Sequence, residues 1–278
     1  MKKRIICMLI VCIAAINVLT SCKNETSARE DSIEIIKGGV EIRDHPLEAT
    51  TDGEISCTGA FPEIILDEEY QKKLPKLWEK IQEQNNFWEN DISETVEECG
   101  PYKIEGNYKQ YDNLQIEVKR FDDRLFSILC RENMMFGENG GANWVYVYNF
   151  DVATGNSIDL SSVIIDKNAF GKIVREKLED KYPEYKDTFG DPFKSQCGDE
   201  DPFVYKLDNL GYNWILTEKG LELYFLQDEI TKSDDIMDVL IPYDEIKDLV
   251  QPVYNTDSTE YIDKLVTYKR TDCKTLAY

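Results

Sequence analysis

Apolar and polar residues alternate along much of the middle of the chain, which is typical of strands that bury one face. The clearest case lies within residues 140–164, where Trp144, Tyr146, Tyr148 and Phe150 occupy one face of a period-two run. A turn sequence with glycine at position 155 follows this run. The same criterion predicts further strands at residues 54–62, 102–108, 114–118, 124–131, 203–207, 212–217, 220–226 and 236–241.

Apolar residues recur at helical spacing in two longer segments, residues 67–90 and 166–182. Pro75 is unfavourable inside a helix, so the first helix is expected to kink there or to begin near it. A short closing helix is predicted at 243–250, after Pro242. The predicted fold class is therefore α+β, with antiparallel sheet strands and two main helices packed on them.

The first residues have the pattern of an export signal. A basic start is followed by an apolar run over residues 5–19 and then by small residues, and this run is too short for a typical membrane-spanning helix. Residues 19–22 resemble the lipobox of bacterial lipoproteins. That resemblance implies cleavage after residue 21, lipid attachment at Cys22, and a location on the outer face of the bacterial cytoplasmic membrane.

The remaining chain divides by composition into three parts. Residues 22–53 are polar and lack a continuous apolar pattern, and they are predicted to form a flexible tether. Residues 54–250 are predicted to form the extracytoplasmic domain, in two halves of about 54–136 and 137–250. Residues 251–278 form a polar C-terminal extension. His45 is the only histidine of the chain, and it is expected to be a solvated residue of the tether.

The chain is strongly acidic, with a formal net charge of −22. This charge disfavours nucleic acid as a partner and favours cationic partners. It is also compatible with a role in solubility alone.

The sequence contains no recognisable catalytic or cofactor motif. A single histidine excludes most zinc hydrolase sites and Ser–His–Asp arrangements, and no glycine-rich phosphate loop is present. The acidic clusters at 199–201 and 234–238 lack the spacing of a calcium loop. We therefore predict no catalytic residues, no metal site and no cofactor, and the ligand-binding residues stay unassigned. A pair of carboxylates acting on a glycan is left open, because acidic residues are abundant.

Five cysteines follow the lipobox cysteine, namely Cys57, Cys99, Cys130, Cys197 and Cys273. Export permits disulfides, but an odd number leaves at least one cysteine outside an internal pair. Cys57–Cys99 is a plausible bridge, and Cys130 lies in a strand pattern typical of a buried thiol.

Three segments resemble an extracytoplasmic domain of unknown function: residues 139–164, with their Gly-Gly-Ala strand and Thr-Gly turn; residues 214–230, with a hairpin; and residues 239–250, with the sequence IPY. The same domain forms the outer part of a lysozyme-sensing anti-sigma factor and precedes the catalytic domain of a peptidoglycan deacetylase. The chain departs from the family pattern at Asn143, where histidine is usual, and at Asp228, where tyrosine is usual.

These observations together predict a membrane-anchored surface lipoprotein with a non-catalytic recognition or sensing domain. A cationic protein such as lysozyme is the most specific partner that the resemblance and the charge imply. Two alternatives stay open: a carboxylate-dependent enzyme acting on cell-wall glycan, and a structural accessory of an envelope complex.

Overall fold

A computed structural model describes residues 39–52, 54–99, 110–136 and 140–255, together with the backbone of 269–270. The signal sequence, Cys22, the strand predicted at 102–108 and Cys273 lie outside these residues. Within the described part, no helix combines the length and the apolar character needed to cross a membrane.

The domain begins with a long antiparallel hairpin of β1 (Val40–Thr51) and β2 (Glu54–Leu66). The prediction of a flexible tether is therefore wrong for residues 40–51, and the strand predicted at 54–62 is longer than expected. Val40 and Ile42 are each only 2% exposed. Two apolar residues in a polar segment are a weak sequence signal, but burial against a neighbouring strand is sufficient to order them.

Two helices follow, α1 (Glu68–Lys73) and α2 (Pro75–Cys99). The Asp67 carboxylate caps α1 by accepting from the Glu69 and Tyr70 amides at 3.1 and 2.9 Å. The break falls at the proline, as predicted, because its ring lacks the amide that would continue α1. Helix α2 packs closely on β2, where a Cβ on Gly59 would lie 2.5 Å from the Val96 side chain.

Helix α2 leads to a meander of β3 (Gln110–Phe121), β4 (Leu125–Phe136) and β5 (Gly141–Asp151). The six-stranded sheet has the order β5-β4-β3-β2-β1-β9, with β9 at Lys269–Arg270. All neighbours are antiparallel except β2 with β3 and β1 with β9. Because β5 pairs along its length with β4, a boundary between halves at residue 137 would cut this sheet. The division into halves of about 54–136 and 137–250 stays a prediction, with both halves contributing strands to this sheet.

The rest of the chain forms a second layer of sheet and helices. Its strands β6 (Asn213–Thr217), β7 (Gly220–Phe225) and β8 (Met237–Pro242) make an antiparallel three-stranded sheet. Its helices are α3 (Leu160–Val163), α4 (Lys167–Lys181), α5 (Lys194–Cys197), α6 (Pro202–Asn209) and α7 (Tyr243–Ile246). The strand predicted at 203–207 is part of α6, and the closing helix is shorter than the predicted 243–250.

Helix α6 shows why that prediction failed. Its sequence, PFVYKLDN, has a short apolar run that fits either a strand or a helix. Asp201 accepts a hydrogen bond from the Phe203 amide at 2.8 Å, and Pro202 occupies the first turn. An aspartate cap followed by proline is the start signal of a helix.

The layers are joined by two apolar interfaces. One face of the three-stranded sheet packs on α4 in a core cluster that includes Phe170, Leu216 and Leu223. Its other face contacts the six-stranded sheet through a cluster that includes Leu129 and Ile215. The α+β fold class is thus confirmed, with α2 on one side of the large sheet and the small sheet on the other.

Candidate functional site

An open groove of about 790 Å³ lies where the two sheets diverge. The ends of β3, β4 and β5 form its floor, and Gln227 with residues 234–236, between β7 and β8, form its wall. The volume is within the range of about 300–1,000 Å³ that is usual for ligand sites.

The floor is built from polar side chains that share one face of the sheet. Asn113 pairs with Asn133 across β3 and β4, and Asn133 pairs with Asn143 across β4 and β5. The next row along the strands places Gln115 beside Arg131. Because alternate residues of a strand point to the same face, these amides and the guanidinium form a continuous polar surface, which we call the amide floor.

Most of the hydrogen-bonding capacity of the amide floor faces the groove. The Asn133 amide donates to the Asn143 carbonyl. No hydrogen bond between described residues involves the side chains of Asn113 or Gln115, and the Arg131 guanidinium forms no ion pair within the described part. Arg131 instead lies over the Tyr224 ring, with Cζ 5.7 Å from the centroid.

The wall adds acidic groups to this surface. Gln227 donates to Asp234 at 3.3 Å, and Asp235 and Ile236 complete the lining. Trp144 lies at the rim with 37% of its surface exposed, and its ring is parallel to that of Tyr146. By strand alternation, the Trp144 side chain leaves β5 on the face opposite to Asn143.

A second polar cluster lies on that opposite face, beneath α2. Asp112 on β3 is 1% exposed and Glu132 on β4 is 7% exposed. No N–H or O–H group among the described residues donates to either Asp112 oxygen. The Thr95 hydroxyl on α2 donates instead to the Asp91 carbonyl at 3.0 Å. The Glu132 carboxyl lies close enough to Asp112 to affect its protonation.

Burial and the neighbouring Glu132 raise the pKa of Asp112 to about 7. Burial and the charge of Asp91 also raise the pKa of Glu132. The Tyr146 hydroxyl faces the same pair, and its pKa is raised by burial and by Glu132. The pair therefore retains a proton at a pH where an exposed carboxyl would be ionised.

The sequence-predicted residues are distributed away from the groove, apart from the 234–238 acidic cluster. His45 is a strand residue of β1 rather than a solvated tether residue: its Nε2 is 3.0 Å from a Glu63 oxygen, and its ring stacks on Phe61. Asp201 of the 199–201 cluster caps α6 and pairs with Arg175. In the described part of the chain, no three acidic, histidine or cysteine side chains converge in a way that could hold a metal ion.

The cysteines of the described part are buried. Cys130 and Cys197 are free thiols, and burial raises the pKa of Cys130. Cys57 is buried on β2. The Cys99 side chain lies outside the described residues, so its pairing with Cys57 stays a prediction.

The amide floor and the acid pair were both missed from the sequence. Asn113, Asn133 and Asn143 are far apart along the chain, and only strand register brings them into one row. The alternation of β4 contained a partial signal, because Arg131, Glu132 and Asn133 interrupt an otherwise apolar strand. Polar residues at the C-terminal end of β4 indicate that apolar packing against another layer ends there.

The fold and the groove define an α+β domain of two packed sheets with a polar cleft at one end of their interface. No protein-family model matches the chain, and no curated protein matches it. Two solved structures are similar in fold. One is a member of the DUF3298 family from Bacteroides fragilis NCTC 9343, with 14% identity, 77% of this chain and 95% of that chain covered, and a TM-score of 0.51. The other is a DUF3298 family protein from Pseudomonas aeruginosa PAO1, with 14% identity, 77% and 94% coverage, and a TM-score of 0.47.

The first similarity extends over most of both chains, and it supports the resemblance to a domain of unknown function at the level of fold. At 14% identity, this similarity does not assign functional roles to residues of this chain. The relation to an anti-sigma factor or a deacetylase, and the lipobox, stay predictions.

Proposed function

We propose that this protein is a surface lipoprotein whose domain recognises or senses a ligand at the cell envelope without catalysing a reaction. The observation that carries the proposal is the open groove with its exposed amide floor. Amides and a guanidinium without an ion pair offer many directed hydrogen bonds to a ligand.

The acid pair favours recognition over hydrolysis of a glycan. Glycosidase carboxyls flank the scissile bond and are about 5 Å apart or more. Asp112 and Glu132 are instead buried, with only 1% and 7% of their surfaces exposed. Burial at this level keeps the Asp112 carboxyl from contact with a sugar in the groove.

A lysozyme-like cationic protein is the partner that the charge of the chain favours, since a net charge of −22 accelerates encounters with cations. Calorimetric titration with lysozyme at about 0.05 M and about 0.3 M salt tests this part, because the Debye length changes about twofold over that range. Saturable one-to-one binding at both concentrations is expected. Binding that disappears at the higher salt concentration would show that the interaction is nonspecific electrostatic attraction.

The membrane anchor has a separate test. Replacement of Cys22 by serine removes the thiol that would carry the lipid, so the protein is expected to move from the membrane fraction to the soluble fraction. Cys12→Ser is the matched control, since it changes a cysteine of the same leader segment. Equal membrane retention of both variants would contradict lipid attachment at Cys22.

A further inference from the structure

We propose that the groove is a carbohydrate-binding site and that the amide floor holds the hydroxyl groups of a short oligosaccharide. This inference rests on the proposed recognition role and names the chemical class of the ligand. Its structural basis is the row of Asn113, Asn133 and Asn143, with Gln115 and Arg131 in the adjacent row.

The hydrogen-bonding pattern of the floor matches that of a sugar. Each amide has both a donor and an acceptor, and each sugar hydroxyl can likewise donate and accept. Only one bond, from Asn133 to Asn143, joins the asparagine side chains of the row to one another. The remaining groups are available for a ligand that presents several hydroxyls in a plane.

The charges of the groove disfavour a nucleic acid, and the strand order disfavours an extended peptide. A nucleic acid would meet Asp234 and Asp235 on the wall and only one cation, Arg131, on the floor. An extended peptide that added a strand beside the groove would bind the backbone of β5, the edge strand of the large sheet. The amide floor instead centres on the side chains of β4, which is paired on both sides.

Arg131 predicts a preference among sugars. Its guanidinium can pair in a bidentate manner with the carboxylate of an acidic sugar. Tyr224 holds the guanidinium beside the floor, with a distance of 5.7 Å from Cζ to the ring centroid. An oligosaccharide with a single uronic acid is therefore expected to bind more tightly than an uncharged N-acetylated one, whereas further carboxylates would be repelled by Asp234 and Asp235 on the wall.

Calorimetric titration of the full chain in mild detergent, with aldotetraouronic acid, which carries one carboxylate, and with tetra-N-acetylchitotetraose, tests the inference. Saturable binding is expected, tighter for the acidic sugar. Asn133→Ala should weaken both by about three- to tenfold, because each loses one or more hydrogen bonds. Asn90→Ala, an exposed asparagine on α2, is the matched control and should leave both affinities unchanged.

Arg131→Gln should weaken the acidic sugar more than the uncharged one. The inference is overturned if neither sugar binds, or if Asn133→Ala leaves binding unchanged while the tryptophan fluorescence of the folded protein is retained. Lysozyme binding by the same protein separates the two claims. If lysozyme binds and the sugars do not, the recognition role stands and the carbohydrate site is wrong; if neither binds, both fail.

Discussion

The buried acid pair predicts an inverted dependence of stability on pH. Asp112 has a pKa of about 7 in the folded protein, against an ordinary value of 3.8. The folded state therefore binds a proton between these values that the unfolded state has released. A raised carboxyl pKa gives stability that is fully present below about pH 4 and is lost as the pH rises through about 7.

The size of this effect follows from the shift. Each pKa unit corresponds to about 1.4 kcal/mol, so a shift of about three units corresponds to roughly 4 kcal/mol of unfolding free energy. Asp112→Asn removes the titrating group and retains the shape of the side chain. Relative to the parent protein, the variant should gain stability with rising pH, by up to roughly 4 kcal/mol between about pH 4 and pH 7.5.

Urea unfolding, followed by tryptophan fluorescence at several pH values, measures this difference. Comparison with the parent cancels the contributions of carboxyls that do not interact with Asp112, many of which form ion pairs. Glu132 does interact with Asp112, so the measured difference belongs to the acid pair. Asp248→Asn, at an exposed residue, should show no gain that depends on pH. A difference between Asp112→Asn and the parent that is constant from about pH 4 to 7.5 would refute the raised pKa.

Two further predictions concern the contacts that hold the layers together. Arg120, which is 1% exposed, contacts Asp122 at 2.6 Å and donates to the Leu216 carbonyl at 3.2 Å. Arg120→Leu should lower the unfolding free energy by about 3 to 5 kcal/mol, because it leaves Asp122 buried without its cation; urea unfolding that is unchanged would contradict this. Gly155 has a φ of +71°, and a Cβ there would lie 2.5 Å from the Lys76 carbonyl oxygen. Gly155→Ala should cost at least about 2 kcal/mol, measured as a lower thermal midpoint, whereas Gly198→Ala, also at positive φ but in open space, should cost less.

Periodicity predicted most of the strands and both long helices, because those elements bury a continuous apolar face. Periodicity failed where the burial of a segment depends on pairing with residues elsewhere in the sequence. Strand β1 has few apolar residues and is ordered by its pairing with β2, which composition cannot reveal. Helix α6 was predicted as a strand because five apolar or amphipathic residues fit either period. The cap at Asp201 distinguishes the two, and it had been interpreted only as part of an acidic cluster.

The groove could not be predicted from a sequence motif, because it forms where the side chains along β4 change from apolar to polar. Leu129, in the middle of the strand, packs against the small sheet in an apolar cluster. Two residues further, Arg131 replaces the apolar contact with a guanidinium, and Asn133 follows in the open. The two sheets stay in contact where the facing side chains are apolar or, like Arg120 and Asn149, bond to a carbonyl of the small sheet, since buried amides without partners are costly. The polar end of β4 therefore separates the sheets and also provides the groups that a ligand would contact. For the same reason, Asn133→Leu should strengthen contact between the sheets while abolishing ligand binding, whereas Asn133→Ala should affect binding alone.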